Sequence, residues 1–306
     1  MPQSHSQICI GLMSGTSLDG VDAVAADFST PVPVIRGRAH APFSPELREA
    51  LFSLCKPGEN EIERSGLAAQ ALARAYAQAV DALLATARLP REAIRALGAH
   101  GQTIRHRPSE HFSVQLNSPA LLAELTGIDV IADFRSADLA AGGQGAPLVP
   151  AFHQRIFQSP TTRRAIVNIG GIANITFLPP AGSGEKIFGF DCGPGNMLMD
   201  GWCRQRTGRP YDEDGAWAAS GAQLPALLAA MLADPYFALP PPKSTGRELF
   251  NDEWLKAKLS VVTGAVRARD VQATLLALTA RSISEAIARF SPAAEEVYLC
   301  GGGALN

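Results

Sequence analysis

The chain has 306 residues, 46% of them hydrophobic, which is more than one hydrophobic core usually serves, so two domains are expected. A net charge of −2 with no run of like charges gives no reason to expect nucleic acid or an acidic membrane surface as partner, and favours a small-molecule ligand. No apolar stretch approaches the roughly 18 residues of a membrane span, and the start at Met1 to His5 lacks the basic and long apolar regions of a secretion signal, so a cytoplasmic protein without a membrane partner is expected.

An apolar run at 8–10 reads as a buried strand and a second at 23–28 as its partner, with a turn at 11–22 rich in glycine, hydroxyl and carboxylate side chains. Gly15 and Gly20 tolerate positive φ, and Ser14, Thr16 and Ser17 set hydroxyls beside exposed backbone N–H groups, so this hairpin can cradle phosphate. Asp19 and Asp22 would repel a polyphosphate unless a divalent cation or its bound water lay between, which points to Mg²⁺. The plainer alternative is a tight hairpin whose small residues serve geometry alone. Downstream, Ser44-Pro45 opens a short helix that Lys56-Pro57-Gly58 ends. Residues 61–89 form a long amphipathic helix with Leu67, Leu72, Tyr76, Val80, Leu83 and Leu84 near its buried face. A strand at 94–99 runs into a loop at His100-Gly101-Gln102-Thr103. Another at 112–116 meets a helix opened by Ser118-Pro119, and a buried strand at 128–132 leads to Asp133-Phe134-Arg135. Strands and helices alternate, which makes the class α/β.

The glycine-rich loop at 140–147 is the best place for a domain junction, and a boundary near 138 gives domains 1–137 and 138–306. After a helix at 148–157, apolar runs at 165–169 and 172–177 flank Gly170-Gly171, a second glycine hairpin with Asn168 and Asn174 at its shoulders. Each half thus begins strand, glycine turn, strand. A strand at 186–190 ends in Asp191, and Gly193-Pro194-Gly195 turns the chain through Asn196 into a helix. Ligands collect at such strand ends, so Asp191 suits a general base; it suits a helix cap equally well. Asp200, His100, His106, His111 and His153 read as structural, and 208–221, with Asp212 and Asp214, as a solvated polar loop. A long helix at 270–290 leads to a strand at 297–300 and to Gly301-Gly302-Gly303, where backbone can lie flat against a planar ring. The five cysteines are scattered and never form a C-x-x-C pair, which argues against disulfides and zinc. The phosphate-loop pattern G-x-x-x-x-G-K-[ST] and the dinucleotide pattern G-x-G-x-x-G are both absent.

Four separated runs, MSGTSLDGVD at 13–22, DCGPGNMLMD at 191–200, PPKSTGRELF at 241–250 and CGGGALN at 300–306, together resemble the anhydro-N-acetylmuramic acid kinases. These are sugar kinases of the superfamily that also holds acetate kinase and actin, and the resemblance covers nearly the whole chain. It implies a two-domain actin-like ATPase (ribonuclease H-like) fold with an interdomain active-site cleft. It also implies that Gly15, Thr16, Ser17, Leu18, Asp19, Gly20, Val21 and Asp22 cradle the phosphates of ATP, with Mg²⁺ reached from Asp19 and Asp22 through water. Asn168, Gly170, Gly171 and Asn174 would form the second nucleotide hairpin, and Gly301, Gly302 and Gly303 would pack on the adenosine. Asp191 would be the catalytic base. Gln102, Thr103 and Asn196 would offer amide and hydroxyl groups to a sugar, Asp133 would do similar work, and Arg135 would suit the lactyl carboxylate through a forked hydrogen bond. The implied reaction is hydrolytic opening of 1,6-anhydro-N-acetylmuramic acid with phosphorylation of O6, giving N-acetylmuramate 6-phosphate in murein recycling. The resemblance further implies a homodimer. Family members continue past the last glycine turn with a strand, helices and a sugar-contacting glutamate, so that segment is expected to be lacking here. A non-catalytic nucleotide-binding remnant of the fold, or a kinase for another amino sugar, are the alternatives.

Overall fold

The computed structural model describes residues 7–15 and 18–306, so the expectations placed on Thr16 and Ser17 fall outside it. The backbone divides into two compact units, the first ending at Gly145 and the second starting at Ala146, within the glycine-rich loop.

In the first unit, β1 (Ile8–Met13), β2 (Gly20–Asp27) and β3 (Val34–Pro42) form an antiparallel meander. Helices α1 (Pro45–Ser53) and α2 (Glu61–Ala87) follow. Then come β4 (Ile94–Ala99), a separate hairpin of β5 (Gln102–Arg107) and β6 (Phe112–Leu116), α3 (Pro119–Thr126), β7 (Val130–Ile131) and α4 (Ser136–Ala140). The sheet order is β3-β2-β1-β4-β7, with β4 parallel to β1 and β7 parallel to β4. Along β2, Val21, Ala23, Ala25 and Asp27 face inward while Asp22 and Val24 face out, the alternation of a sheet covered on one side. The cover is α2, lying across β2 and β3. Small residues permit the close approach: a Cβ on Gly37 of β3 would lie 2.6 Å from that of Ala87 at the end of α2.

Helix α1 starts as its sequence dictates: the Ser44 hydroxyl accepts the Leu47 N–H at 3.2 Å, and Pro45 occupies the first turn. Two local readings change, and one strand comes without a sequence signal. Leu67 is 63% exposed, one position outside the apolar stripe of α2 that buries Leu72, Tyr76, Val80, Leu83 and Leu84. Residues 34–42 are a strand, carried by pairing with β2 and not by an apolar run of their own. Gln102 and Thr103 belong to β5 and not to a loop.

The second unit repeats the plan. After α5 (Pro150–Phe157), β8 (Arg164–Ile169), β9 (Ile172–Leu178) and β10 (Phe188–Pro194) again form an antiparallel meander. Then α6 (Met197–Thr207), α7 (Ala216–Ala219), α8 (Pro225–Leu232), α9 (Pro235–Ala238) and α10 (Asp252–Leu259) lead to the long α11 (Ala268–Phe290) and to β11 (Glu296–Cys300). β11 lies parallel to β8, giving the order β10-β9-β8-β11. Meander, long helix, then a strand parallel to the first of the meander occurs in both units, the duplicated ribonuclease H-like topology of actin-like ATPases. Residues 208–221 are largely exposed, as expected, but Asp212 is not solvated: it is 3% exposed and accepts the N–H groups of Trp217 and Ala218, both at 2.8 Å, which ties down the start of α7. Among the described residues no helix is long and apolar enough to cross a membrane.

Candidate active site

In the first unit, the turn after β1 is stitched to the turn after β4 by buried side chains. Ser14, at the end of β1, donates to the carbonyl of Gly101 (3.3 Å), and its hydroxyl meets that of Tyr76 from α2 (3.0 Å). Gln102, 1% exposed, donates through Nε2 to the carbonyl of Gly15 (3.2 Å). The phosphate-turn candidate and the sugar-segment candidate are therefore joined side chain to backbone. Only glycine suits position 101, since its φ is +76° and a Cβ would lie 2.6 Å from the Leu116 carbonyl oxygen. Leu18 is buried with φ +57°, and its N–H reaches the carbonyl of Gly15 at 3.3 Å. Val21 faces the core beside it. Gly20 is enclosed, with the Ala41 carbonyl 2.4 Å from where a Cβ would stand.

The two carboxylates point outward. Asp19 is exposed, and Asp22, with a side chain 71% exposed, lies 2.9 Å from His40 Nδ1. No group of three or more His, Cys, Asp or Glu side chains able to hold a metal occurs among the described residues. Two outward carboxylates suit contact with a hydrated cation carried by phosphate better than a resident metal site.

Of the sugar-site candidates, Arg135 is held at both ends of its guanidinium, donating to the carbonyl of Gly145 and to His100 Nε2 (2.7 Å). Thr103 faces away from Gln102 and donates to Gln115 Oε1 (2.6 Å). Asp133, exposed and with φ +57°, accepts from Ser136 Oγ (2.5 Å). Thus Arg135 is tied through His100 to the Gly101 carbonyl and Gln102 to the Gly15 carbonyl, whereas the Thr103 and Asp133 side chains make separate local contacts.

His100 and His106 are both held at about 4, chiefly by burial and secondarily by the Arg135 guanidinium, with Arg107 adding to the effect on His106. An ordinary imidazole titrates near 6.5, so between pH 6.5 and 4 the unfolded chain binds more protons than the native one and stability falls as pH falls. Each group contributes at most about 1.4 kcal/mol per pH unit across that window. Urea unfolding of a His106→Asn variant is expected to lose less stability between pH 6.5 and 5 than the unmodified chain; an unchanged pH slope would contradict this.

In the second unit, three glycine-rich stretches distant in sequence meet. Asn168 and Asn174 pair across the β8–β9 hairpin, with Gly170 and Gly171 at its tip. The carbonyls of that tip receive the next turn: Gly195 N–H and Met197 N–H donate to Gly171 (2.9 and 3.2 Å), and Asn196 N–H to Gly170 (2.8 Å). A Cβ on Gly195 would lie 2.3 Å from the Gly170 oxygen, so only glycine allows this packing. Gly301 and Gly303 close on the same hairpin, with Cβ positions 2.6 Å from Asn168 Oδ1 and 2.3 Å from Ile169 Cγ2; Gly302 alone has room.

Asp191 sits beside this cluster on β10, where the register shifts between Asp191 and Gly193, a bulge that re-aims the strand. It is 5% exposed and is not the cap of α6, whose N-cap position is Asn196. Its carboxylate accepts the Thr245 N–H (3.0 Å), its own N–H donates to the Lys243 carbonyl (3.2 Å), and its carbonyl accepts from the Tyr236 hydroxyl (2.6 Å). The proline-rich segment at 240–247 therefore clasps Asp191, a role its sequence left undecided. The Lys243 ammonium, buried against the Tyr236 ring (4.5 Å) and bonded to the Tyr236 carbonyl (3.0 Å), is pushed below the usual lysine range by burial. Burial, with Asp191 alongside, pushes the Cys192 thiol well up, so that thiol is inert.

Buried polar atoms without a hydrogen-bond partner among the described residues include Gln102 Oε1, Asn174 Oδ1, Asn196 Oδ1 and the Thr245 hydroxyl. Buried polar groups are normally satisfied, so these atoms, like both side-chain polar atoms of Gln272 on α11, keep capacity for a bond to a ligand or water. Thr245 was missed by sequence reasoning, although it stands inside one of the four recognised runs.

The family model for anhydro-N-acetylmuramic acid kinase matches residues 7–306. The chain belongs to the anhydro-N-acetylmuramic acid kinase family. Curated relatives of that name are 54% identical in Burkholderia cenocepacia, over 100% of this chain and 81% of the relative. In Variovorax paradoxus the figures are 55% identity over 98% of this chain and 81% of the relative. Among solved structures, component A of the (R)-2-hydroxyglutaryl-CoA dehydratase of Acidaminococcus fermentans is 12% identical, with 98% of this chain and 85% of that chain covered at a TM-score of 0.47. Within the second unit, three of the runs that carry the resemblance come together: the stretch at 191–200 packs on the β8–β9 hairpin, the stretch at 241–250 clasps its aspartate, and Gly301 and Gly303 close on the same hairpin.

Proposed function

We propose that the chain is an ATP-dependent kinase that opens 1,6-anhydro-N-acetylmuramic acid by hydrolysis and phosphorylates the freed O6. The observation that carries this reading is Asp191: a buried carboxylate on a strand bulge, oriented by the Thr245 N–H and set beside a glycine cluster. Asp191 takes a proton from water as the water oxygen bonds to the anomeric carbon. The bond from that carbon to O6 breaks, and O6 then bonds to the γ-phosphorus as the bond to ADP breaks. Positioning and charge stabilisation supply most of the catalysis in phosphoryl transfer.

The nucleotide is assigned to Gly15, Thr16, Ser17, Leu18, Gly20 and Val21 in the first unit, and to Asn168, Gly170, Gly171, Asn174 and Gly301 to Gly303 in the second. Mg²⁺ would offset phosphate charge, and Asp19 and Asp22 are the residues that would hold it. The sugar is assigned to Gln102, Thr103, Asp133, Arg135 and Asn196. The orphaned acceptors of Gln102, Asn174 and Asn196 support three of these assignments. A reducing cytoplasmic setting is supported by five free, dispersed thiols. A homodimer rests on the resemblance alone.

The reading is tested by turnover in ¹⁸O-labelled water. One label is expected at the anomeric oxygen of the product and none in its phosphate, because water enters at carbon. Label in the phosphate, or an unlabelled sugar phosphate, would overturn it.

A further inference from the structure

Arg135 and His100 lie 35 residues apart in sequence yet bond at 2.7 Å through Nε2 of the imidazole. The other ring nitrogen, Nδ1, lies 2.7 Å from the Gly101 carbonyl, which can only accept, so Nδ1 carries the proton and Nε2 is left as an acceptor. That tautomer suits a guanidinium, which offers donors only. The Gly101 carbonyl also receives the Ser14 hydroxyl, itself bonded to Tyr76, so the imidazole is fixed by the buried stitch between the turns after β1 and β4. The Gly145 carbonyl fixes the other end of the guanidinium.

We infer that His100 is a positioning residue for the sugar carboxylate: as a neutral imidazole it holds the Arg135 guanidinium in the orientation that receives the substrate's carboxylate. The inference rests on the assignment of Arg135 to the sugar, which can fail separately. Protonated His100 would present N–H donors on both nitrogens, leaving Nε2 facing the guanidinium with no acceptor. The groups around this pair are the Arg135 cation, the imidazole of His106, which also feels Arg135, and the uncharged hydroxyls of Tyr76 and Ser14.

The experiment measures kcat, KM for the anhydro sugar and Kd for ATP in Arg135→Ala, His100→Leu, His100→Gln and the Arg135→Ala/His100→Leu double variant of the protein. A hydrogen bond to a charged group is worth about 10–100-fold in binding. His100→Leu and Arg135→Ala are each expected to raise sugar KM by roughly that factor with ATP Kd unchanged, and the double variant should be no worse than Arg135→Ala alone. His100→Gln, whose amide can donate to Gly101 and accept from Arg135, should restore KM. It should also abolish a rise in sugar KM at acid pH that the unmodified protein shows. If Arg135→Ala leaves sugar KM unchanged, the assignment of Arg135 to the sugar is wrong. If Arg135→Ala raises KM but His100→Leu does not, or if their effects multiply, His100 does not act through Arg135. Should His100→Leu fail to fold, the pH profile decides, and an acid rise in KM that persists in His100→Gln overturns the inference.

Discussion

Asp191→Asn is expected to reduce turnover by about 10²–10⁴-fold while leaving the fold and ATP affinity in place. Asparagine matches aspartate in shape, and its amide oxygen can still accept the Thr245 N–H that now orients the carboxylate at 3.0 Å. It cannot accept a proton from water. The bonds from the Asp191 backbone to Tyr236 and Lys243 do not involve the side chain and should persist, so the thermal midpoint should move little. The measurement is single-turnover ADP release alongside calorimetric ATP binding. Near-normal turnover would remove the aspartate from the chemistry, and loss of ATP affinity would place it in the nucleotide site. A Thr245→Pro variant tests the clasp separately: it deletes the N–H that orients the carboxylate, and a fall in kcat with unchanged ATP affinity is expected.

Gly301→Ala should be strongly destabilising in the second unit. The residue has φ +82°, and an added Cβ would stand 2.6 Å from both Asn168 Oδ1 and the Ile169 carbonyl oxygen. The Asn168 amide can swing aside, but the Ile169 carbonyl is backbone at the end of β8 and cannot. Left-handed strain and overpacking together are expected to cost about 2–4 kcal/mol. Gly302→Ala is the matched control. Its nearest neighbour would be Asn196 Nδ2 at 3.9 Å, ordinary contact distance, and its stability should change by no more than about 0.5 kcal/mol. Urea unfolding of both variants decides the matter. Equal losses would contradict the packing described.

What the sequence by itself determined was local or motif-borne. The apolar runs on either side of 11–22 and 170–171 announced two hairpins, and both formed, because alternation and glycine content act over a few residues. The four runs identified the family, which the family model and the curated relatives establish over essentially the whole chain. The tertiary structure decided the partners. That Ser14 would meet Tyr76 across 62 residues, that the Thr245 N–H would reach Asp191 across 54, and that His100 would hold Arg135 across 35 is not written in any spacing. A hydroxyl, an amide or an imidazole is chemically able to bond with many groups, and only packing of the surrounding elements selects one. The same reasoning covers Leu67, which shares the composition of its helix's buried face yet stands in solvent, and β3, which is a strand because β2 offers it an edge. Periodicity reports what a segment can bury, whereas the neighbour it buries against is settled only when the chain has folded.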